Sequence, residues 1–369
     1  MSQPSRIKQL DDRTIGHIAA GEVVERPAQV VKELIENSID AKSNRITIEI
    51  DRGGFDLIRI TDNGTGIHEH DLSLSLDRHA TSKLSNENDL AAIGTLGFRG
   101  EALASIGMVS KLSISSRPQG TEGRKIVMDN GNKGKIEPAG IAEGTSIEVA
   151  QIFANQPARL AFQRRPATET SKIVDVVVSH TISHPEVGFR LVSDEKTILE
   201  VPAVDEMEDR LYDVLGRQAG KMIPISAPTS DSDAPGDERW SGWISTPDIT
   251  RGKGDEIHVL INGRPVAAQP FLQSIRRGYK TRLMQGRHPV AVLLLDLPHD
   301  EVDVNVHPTK REVRLKHSWR VLERLERSIA YTLESTPTEP ESSGGITGIT
   351  SLAPQPEERR VVEKPAWAQ

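Results

Sequence analysis

Apolar positions along the chain change period several times, and each change marks an element. In PAQVVKELIENSIDA, residues 27–41, Val31, Leu34, Ile35 and Ile39 recur at helical spacing, with Pro27 in the first turn where a helix tolerates it. The spacing predicts a helix whose other side carries Glu33, Asn37 and Asp40. RITIEI at 45–50 alternates as a strand does, DRGG turns the chain, and FDLIRIT returns as a second strand ending at Asp62. Residues 63–101 lose the pattern: Gly, Ser, Thr and His interrupt short apolar runs. That predicts a long, partly mobile loop region with a helix around 70–78 and another starting near Arg99 and running through EALASIG. Strands near 111–116, 124–129 and 144–150, a helix at 168–183 and a hairpin at 187–202 complete an α+β unit, a mixed sheet with helices on one face.

A second, smaller α/β unit is expected over 216–333. It has strands at 239–246, 256–262 and 290–297, a helix at about 268–284, a strand VDVNV ending at His307-Pro308, and a last helix WRVLERLERSIAYTL. An Asp-, Ser- and Pro-rich loop at 228–238 interrupts it. The expected organisation is an N-terminal arm at 1–20, a first domain at 21–215, a second at 216–333 and a linker or tail at 334–369. The tail is rich in Pro, Glu, Ser and Gly, too poor in apolar surface to offset its ordering entropy, and reads as a linker to something further.

Composition narrows the function classes. The 369 residues contain no cysteine, which removes disulfides, Cys-ligated zinc and thiol catalysis and suits a reducing, cytoplasmic setting. No apolar run approaches the roughly 18 residues of a membrane span, and no membrane partner is expected. A net charge of −7 argues against a wholly basic nucleic-acid binder but leaves room for a local basic groove.

Three segments carry candidate chemistry. On the first helix, the Glu33 carboxylate can orient and deprotonate a water, and one turn on the Asn37 amide oxygen can ligate a hard cation such as Mg²⁺. A solvated polar face is the commoner origin of such a pattern. In DNGTGI at 62–67, Asp62 ends a strand and Gly64 and Gly66 allow close backbone approach, so the carboxylate can read an amino group of a ligand; an ordinary Asn-Gly turn has the same letters. Thr81-Ser82-Lys83 and then Gly94, Gly97, Phe98, Arg99, Gly100 and Glu101 form a Gly- and hydroxyl-rich stretch entering a helix, suited to phosphate oxygens, though it is neither a P-loop nor a Rossmann fingerprint. His299, Asp300, Glu301, Asp303 and His307 do not fall at zinc-site spacing.

The order of these segments resembles the GHKL ATPases, the class of gyrase B, a heat-shock chaperone and histidine kinases. IAAGEVVERPAQVVKELIENSIDA, RHATSK, LGFRGEALASI and VDVNVHPTKREVR narrow the resemblance to the MutL family of mismatch-repair proteins over roughly residues 7–333. The resemblance implies ATP and Mg²⁺ as cofactors. It implies Glu33 as general base, Asn37 as Mg²⁺ ligand with Asp40 and Ala41 in the same nucleotide site, and Asp62 as adenine reader with Gly64 and Gly66 beside the base. Thr81, Ser82 and Lys83 become lid contacts, and Gly97, Phe98, Arg99, Gly100, Glu101, Ala102 and Leu103 a phosphate-cradling loop and helix start. Thr145 becomes a support for Asp62, and Lys310 a lysine reaching the γ-phosphate from a second domain like a ribosomal protein domain.

The same resemblance implies ATP-driven homodimerisation with slow hydrolysis, weak non-specific DNA binding with Arg276 in the groove, a MutS-type mismatch sensor and a downstream nuclease or helicase as partners, and association with the nucleoid. One departure stands out: where the family favours an NTPARRKF-like run, this chain has NQPARLAF, with Leu160 and Ala161 at two basic positions. The rival readings are another GHKL class, such as a topoisomerase subunit or chaperone, and a DNA-binding scaffold without turnover. GFRGEAL with NVHPTK argues against the first, and Glu33, Asn37, Asp62, Lys83 and Lys310 against the second.

Overall fold

The computed structural model describes residues 11, 15–16, 20–21, 23–83, 100–227, 239–303 and 313–336. The described residues divide into two compact units, those within Met1–Arg210 and Val302–Arg314 and those within Leu211–Glu301 and Leu315–Gln369. Among them, no helix is long and apolar enough to cross a membrane.

The first unit is built on helix α1 (Pro27–Asp40) and a mixed sheet. Strands β1 (Arg45–Asp51) and β2 (Leu57–Asp62) form the expected hairpin, with Ile46, Ile48 and Ile50 buried and their neighbours more exposed. Helices α2 (Glu69–Leu74) and α3 (Ala102–Met108) precede β3 (Lys111–Arg117), β4 (Arg124–Asp129), the short β5 (Asn132–Lys133) and β6 (Glu137–Pro138), and β7 (Gly144–Ala150). Helices α4 (Pro157–Ala161) and α5 (Pro166–Ser183) lead to β8 (Gly188–Ser193) and β9 (Lys196–Val201). The strand order is β5-β4-β3-β7-β2-β1-β8-β9, with β6 against β4. Pairing is antiparallel except between β1 and β8, which run parallel; α5 carries the chain from β7 across to β8.

Helices α1 and α5 pack on each other and on the sheet, and Val30, Val31, Leu34 and Ile35 meet the core with Ile173, Val174 and Val177. Two close approaches fix this layer. A Cβ on Gly53 would lie 2.5 Å from the Pro166 carbonyl oxygen, and one on Gly54 would lie 2.9 Å from the Pro27 side chain. Arg210, on helix α6 (Met207–Leu215), is fully buried and donates to the carbonyls of Pro185, Val187 and Pro202 at 2.7, 2.9 and 2.8 Å.

The second unit has a five-stranded sheet, β10-β11-β16-β13-β14, formed by β10 (Met222–Pro224), β11 (Arg239–Ser245), β13 (Ile257–Ile261), β14 (Arg264–Val266) and β16 (Ala291–Asp296). A separate pair, β12 (Thr250–Arg251) with β15 (His288–Pro289), comes from connections between these strands. Helix α7 (Leu272–Tyr279) packs against the last helix α8 (Ser318–Ser335). The helix expected over 268–284 is shorter: it ends at Tyr279, and Lys280 takes φ +54°. Burial of Ile275 and Tyr279, with the Tyr279 hydroxyl donating to the Ser245 carbonyl at 2.6 Å, anchors the helix where the backbone turns away. Of the VDVNV strand, only Val302–Asp303 lies within the described residues.

Gly278 is the contact point of α7 with α8. A Cβ there would lie 2.7 Å from Ile329 Cβ, the branch point fixed to its backbone, and 3.0 Å from the Glu326 carbonyl oxygen, neither of which can swing aside. Gly278→Ala gains roughly 0.5–1 kcal/mol of helix propensity but overpacks a closed contact at about 1–3 kcal/mol. A net loss of stability is expected in urea denaturation, and a midpoint at or above wild type would show that the two helices can separate freely.

Candidate functional site

Strand register assembles the first half of the site. Asp62 of β2 pairs with Thr145 of β7, and Thr145 pairs with Ser116 of β3, so the three side chains form a row across one face. All three are buried. Asp62 Oδ1 accepts the Gly64 N–H at 2.9 Å, Oδ2 accepts the Ser38 hydroxyl of α1 at 2.8 Å, and the Thr145 backbone N–H adds a third donor. Burial nevertheless dominates and raises the Asp62 carboxyl above its ordinary 3.8, against the lowering effect of those three donors.

Glycine is required around this carboxylate. A Cβ on Gly64 would lie 2.6 Å from the Ala41 carbonyl oxygen, which itself accepts the Thr65 N–H at 2.9 Å. A Cβ on Gly144, at φ +118°, would lie 2.1 Å from the Asp62 carbonyl oxygen. Gly66, at φ +75°, presses on the Arg117–Pro118 backbone.

Helix α1 supplies the second half. Glu33, Asn37 and Asp40 lie on its partly exposed side, as the spacing requires. Lys83 reaches this side: its Nζ donates to Asn37 Oδ1 at 2.8 Å and pairs with Asp40 Oδ2 at 2.5 Å. Thr81 Oγ1 accepts the Lys83 N–H at 3.1 Å, while Ser82 is exposed. Gly100, at φ +61°, abuts Ala80, and Glu101, Ala102 and Leu103 open α3, with Glu101 3.2 Å from His79. Gly94, Gly97, Phe98, Arg99 and Lys310 lie outside the described residues.

Beneath Glu33 is a polar cluster that helical spacing does not predict. Lys32, Glu36 and His180 are all buried; Lys32 Nζ lies 2.7 Å from Glu36 Oε1 and 3.4 Å from Glu33 Oε1, and His180 Nε2 lies 3.7 Å from the same Glu36 oxygen. Burial works against the Lys32 charge, yet Glu36 and Glu33 together raise its pKa above the ordinary lysine value. Ser116 is the other unpredicted residue: its hydroxyl accepts the Ile67 N–H at 2.8 Å and lies 3.0 Å from Thr145 Oγ1.

The donor set has a definite chemistry. Asn37 and Asp40 offer hard oxygens, but among the described residues no group of three or more His, Asp or Glu is arranged to hold a metal ion by itself. A hard cation held by Asn37 fits only if water and ligand oxygens complete its shell, which is the habit of Mg²⁺ with a bound polyphosphate.

Arg276 is exposed on α7, in the second unit. At helical spacing Arg276 and Lys280 would share a face, but α7 ends between them. Lys280 pairs instead with Glu334, and Arg277 lies 4.0 Å from Glu326, both on α8.

Raised pKa at Asp62 has a signed consequence. Protonation favours the fold, so that contribution is present below the ordinary value of 3.8 and is lost as pH rises through the raised folded value. Asp62→Asn, which removes the buried charge, is expected to melt above wild type at neutral pH, with the gap closing as pH falls toward about 4. Thermal melts across pH check this, and a variant less stable than wild type at pH 7 would contradict it.

Comparison with known proteins agrees with this geometry. Residues 25–147 match the family described as histidine kinase-, DNA gyrase B-, and HSP90-like ATPase, and residues 211–334 match DNA mismatch repair protein, C-terminal domain. The DNA mismatch repair protein MutL of Geobacter sulfurreducens is 41% identical over 337 residues, 90% of this chain and 54% of that protein. MutL of Shouchella clausii is 40% identical over 345 residues, 93% and 52% respectively. The chain therefore spans about half the length of the curated relatives it matches. Among solved structures, the N-terminal domain of a DNA repair protein superposes with TM-score 0.74 at 26% identity, covering 87% of this chain and 98% of that one. The Aquifex aeolicus MutL ATPase domain complexed with ADP superposes with TM-score 0.58 at 29% identity, covering 75% and 93%. The chain belongs to the MutL family of DNA mismatch repair proteins and carries its histidine kinase-, DNA gyrase B- and HSP90-like ATPase domain.

Proposed function

We propose that this chain binds and slowly hydrolyses ATP with Mg²⁺, and that the nucleotide state switches it between monomer and dimer in DNA mismatch repair. The observation that carries the reading is the buried Asp62 carboxylate, held by Ser38 and Gly64 beside the polar side of α1. Asp62 accepts a hydrogen bond from the exocyclic amine of adenine, with Gly64, Gly66 and Thr145 shaping the surroundings. Asn37 holds Mg²⁺, with Asp40 and Ala41 in the same site, and the ion supplies neutralisation of phosphate charge. Glu33 accepts the proton of the attacking water. Lys83, now on Asn37 and Asp40, exchanges those contacts for nucleotide oxygens, and Thr81 and Ser82 move with it. Gly97, Phe98, Arg99, Gly100, Glu101, Ala102 and Leu103 cradle the phosphates, and Lys310 reaches the γ-phosphate.

Closure on the nucleotide brings two copies together and hydrolysis releases them. A MutS-type mismatch sensor and a downstream nuclease or helicase are the partners of this switch, which works at the nucleoid. DNA binds weakly and without sequence preference.

Glu33→Ala is expected to bind ATP as wild type does and to lose turnover by about 10²–10⁴-fold. Because ATP then persists on the protein, light scattering with ATP present should find a lasting dimer. Wild-type turnover in this variant, or a mass indifferent to ATP, would remove the mechanism.

Arg276 bears on DNA. Its neighbours Arg277 and Lys280 face glutamates of α8, so Arg276 is the stronger phosphate contact on this helix. Arg276→Glu should weaken binding to every sequence alike and flatten the plot of log affinity against log salt by about 0.9 for each lost phosphate contact. Fluorescence anisotropy at several salt concentrations measures this, and an unchanged slope would assign Arg276 to solubility.

A further inference from the structure

Lys83 stands where a cation would. Its ammonium has three donors and no lone pair, so it settles only on acceptors. Here it settles on two hard oxygens one helical turn apart, Asn37 Oδ1 at 2.8 Å and Asp40 Oδ2 at 2.5 Å. The side chains of Lys83 and Asp40 are only 20% and 10% exposed, so water screens their charges poorly. The segment that brings the lysine is itself held. Arg78 donates to the Gly16 carbonyl at 2.8 Å, and His79 lies 3.2 Å from Glu101. A Cβ on Gly100 would lie 2.5 Å from the Ala80 carbonyl oxygen, and the Lys83 N–H donates to Thr81 Oγ1 at 3.1 Å. These contacts keep the ammonium on α1 rather than in water.

We propose that Lys83 makes an autoinhibitory contact: without nucleotide its ammonium occupies the divalent-cation position on Asn37 and Asp40, and the position opens only to a ligand whose negative charge draws Lys83 away. The proposal rests on the reading that Asn37 holds Mg²⁺. Such an ion sits about 2.0–2.1 Å from a ligand oxygen. Even on the second lone pair of Asn37 Oδ1 it would stand within roughly 5 Å of the ammonium. Like charges at that separation in a mostly buried site repel strongly. A polyphosphate reverses the balance. It offers Lys83 charged oxygens, and it supplies the donors that Asn37 and Asp40 lack for a complete cation shell. Cation and nucleotide are then coupled through one side chain, each raising the affinity of the chain for the other.

The test uses Mn²⁺ alone, a hard cation that takes the same oxygen ligands. Electron paramagnetic resonance counts free Mn²⁺ in titrations of the full chain without nucleotide. Wild type should bind it weakly. Lys83→Met keeps the length and removes the charge, and should bind at least about tenfold more tightly. Lys83→Arg keeps the charge and should stay near wild type. In the Lys83→Met background, Asn37→Ala should abolish the gain. No gain in Lys83→Met overturns the proposal, and so does an equal gain in Lys83→Arg. A gain that survives Asn37→Ala overturns it too, because that would report only the attraction of any cation to an uncovered acidic surface. Where Lys83→Met fails to fold, Lys83→Gln, whose neutral amide can still donate to Asp40, decides by the same comparison. Binding of ATP with Mg²⁺ to wild type is measured alongside. If none is found, the nucleotide reading fails and the inference falls with it. If ATP binds and Lys83→Met gains no Mn²⁺ affinity, nucleotide binding stands and the autoinhibitory contact alone is wrong.

Discussion

A carboxylate buried at the meeting of a helix and a sheet governs the arrangement of the first unit. Asp62 tolerates that position only because Ser38 reaches it from α1, Gly64 from the following turn and Thr145 from the adjoining strand. Each donor fixes one element relative to the others. Gly64 must be small because Ala41, at the end of α1, closes on it, and Gly144 must be bare because β7 crosses directly behind the Asp62 carbonyl. The local glycines, the helix end and the strand register are thus consequences of a single desolvated charge, and the same desolvation raises its pKa.

Elements with a clean period were legible in the sequence. Val31, Leu34 and Ile35 announce α1, and Ile46, Ile48 and Ile50 announce β1, because one face of each is buried and the other is not. Asp62, Asn37 and Glu33 were legible through motifs, and spacing alone left them open to a blander reading. Ser116 carried no signal: a serine in KLSISSR is an ordinary strand residue until the register brings it opposite Thr145. Lys32 and Glu36 were hidden for the opposite reason, since charged residues on a helix normally face water and these two compensate each other inside, next to His180. The end of α7 was missed because Gly278 lies within the helix and the residue that turns away with positive φ is Lys280; the anchoring of Tyr279 on Ser245 is a tertiary effect invisible to local propensity.

The second unit distributes its basic residues unequally. Arg277 and Lys280 face acidic residues of α8, which serves the packing of two helices brought close by Gly278. Exposed ion pairs of this kind contribute little stability each. Their larger effect is to lower the density of uncompensated positive charge along α7, so a polyanion meets a few isolated guanidinium groups, which suits contact without sequence reading.

The parallel pairing of β1 with β8 has a consequence for how the chain reaches its folded state. Arg52, at the end of β1, donates to Asp194, at the end of β8, across a separation of 142 residues. β2 likewise waits for β7 before Asp62 has Thr145 beside it. Contacts of such long range must close a large loop before they return any stabilisation, which slows folding and leaves sheet edges open in the meantime. During synthesis the α1–β1–β2 segment emerges first, and β2 stays without β7, and β1 without β8, until those later strands have been made. The N-terminal part of this unit therefore depends on the residues that follow it, and truncation between β7 and β8 would turn β1 into an open sheet edge, paired with β2 alone.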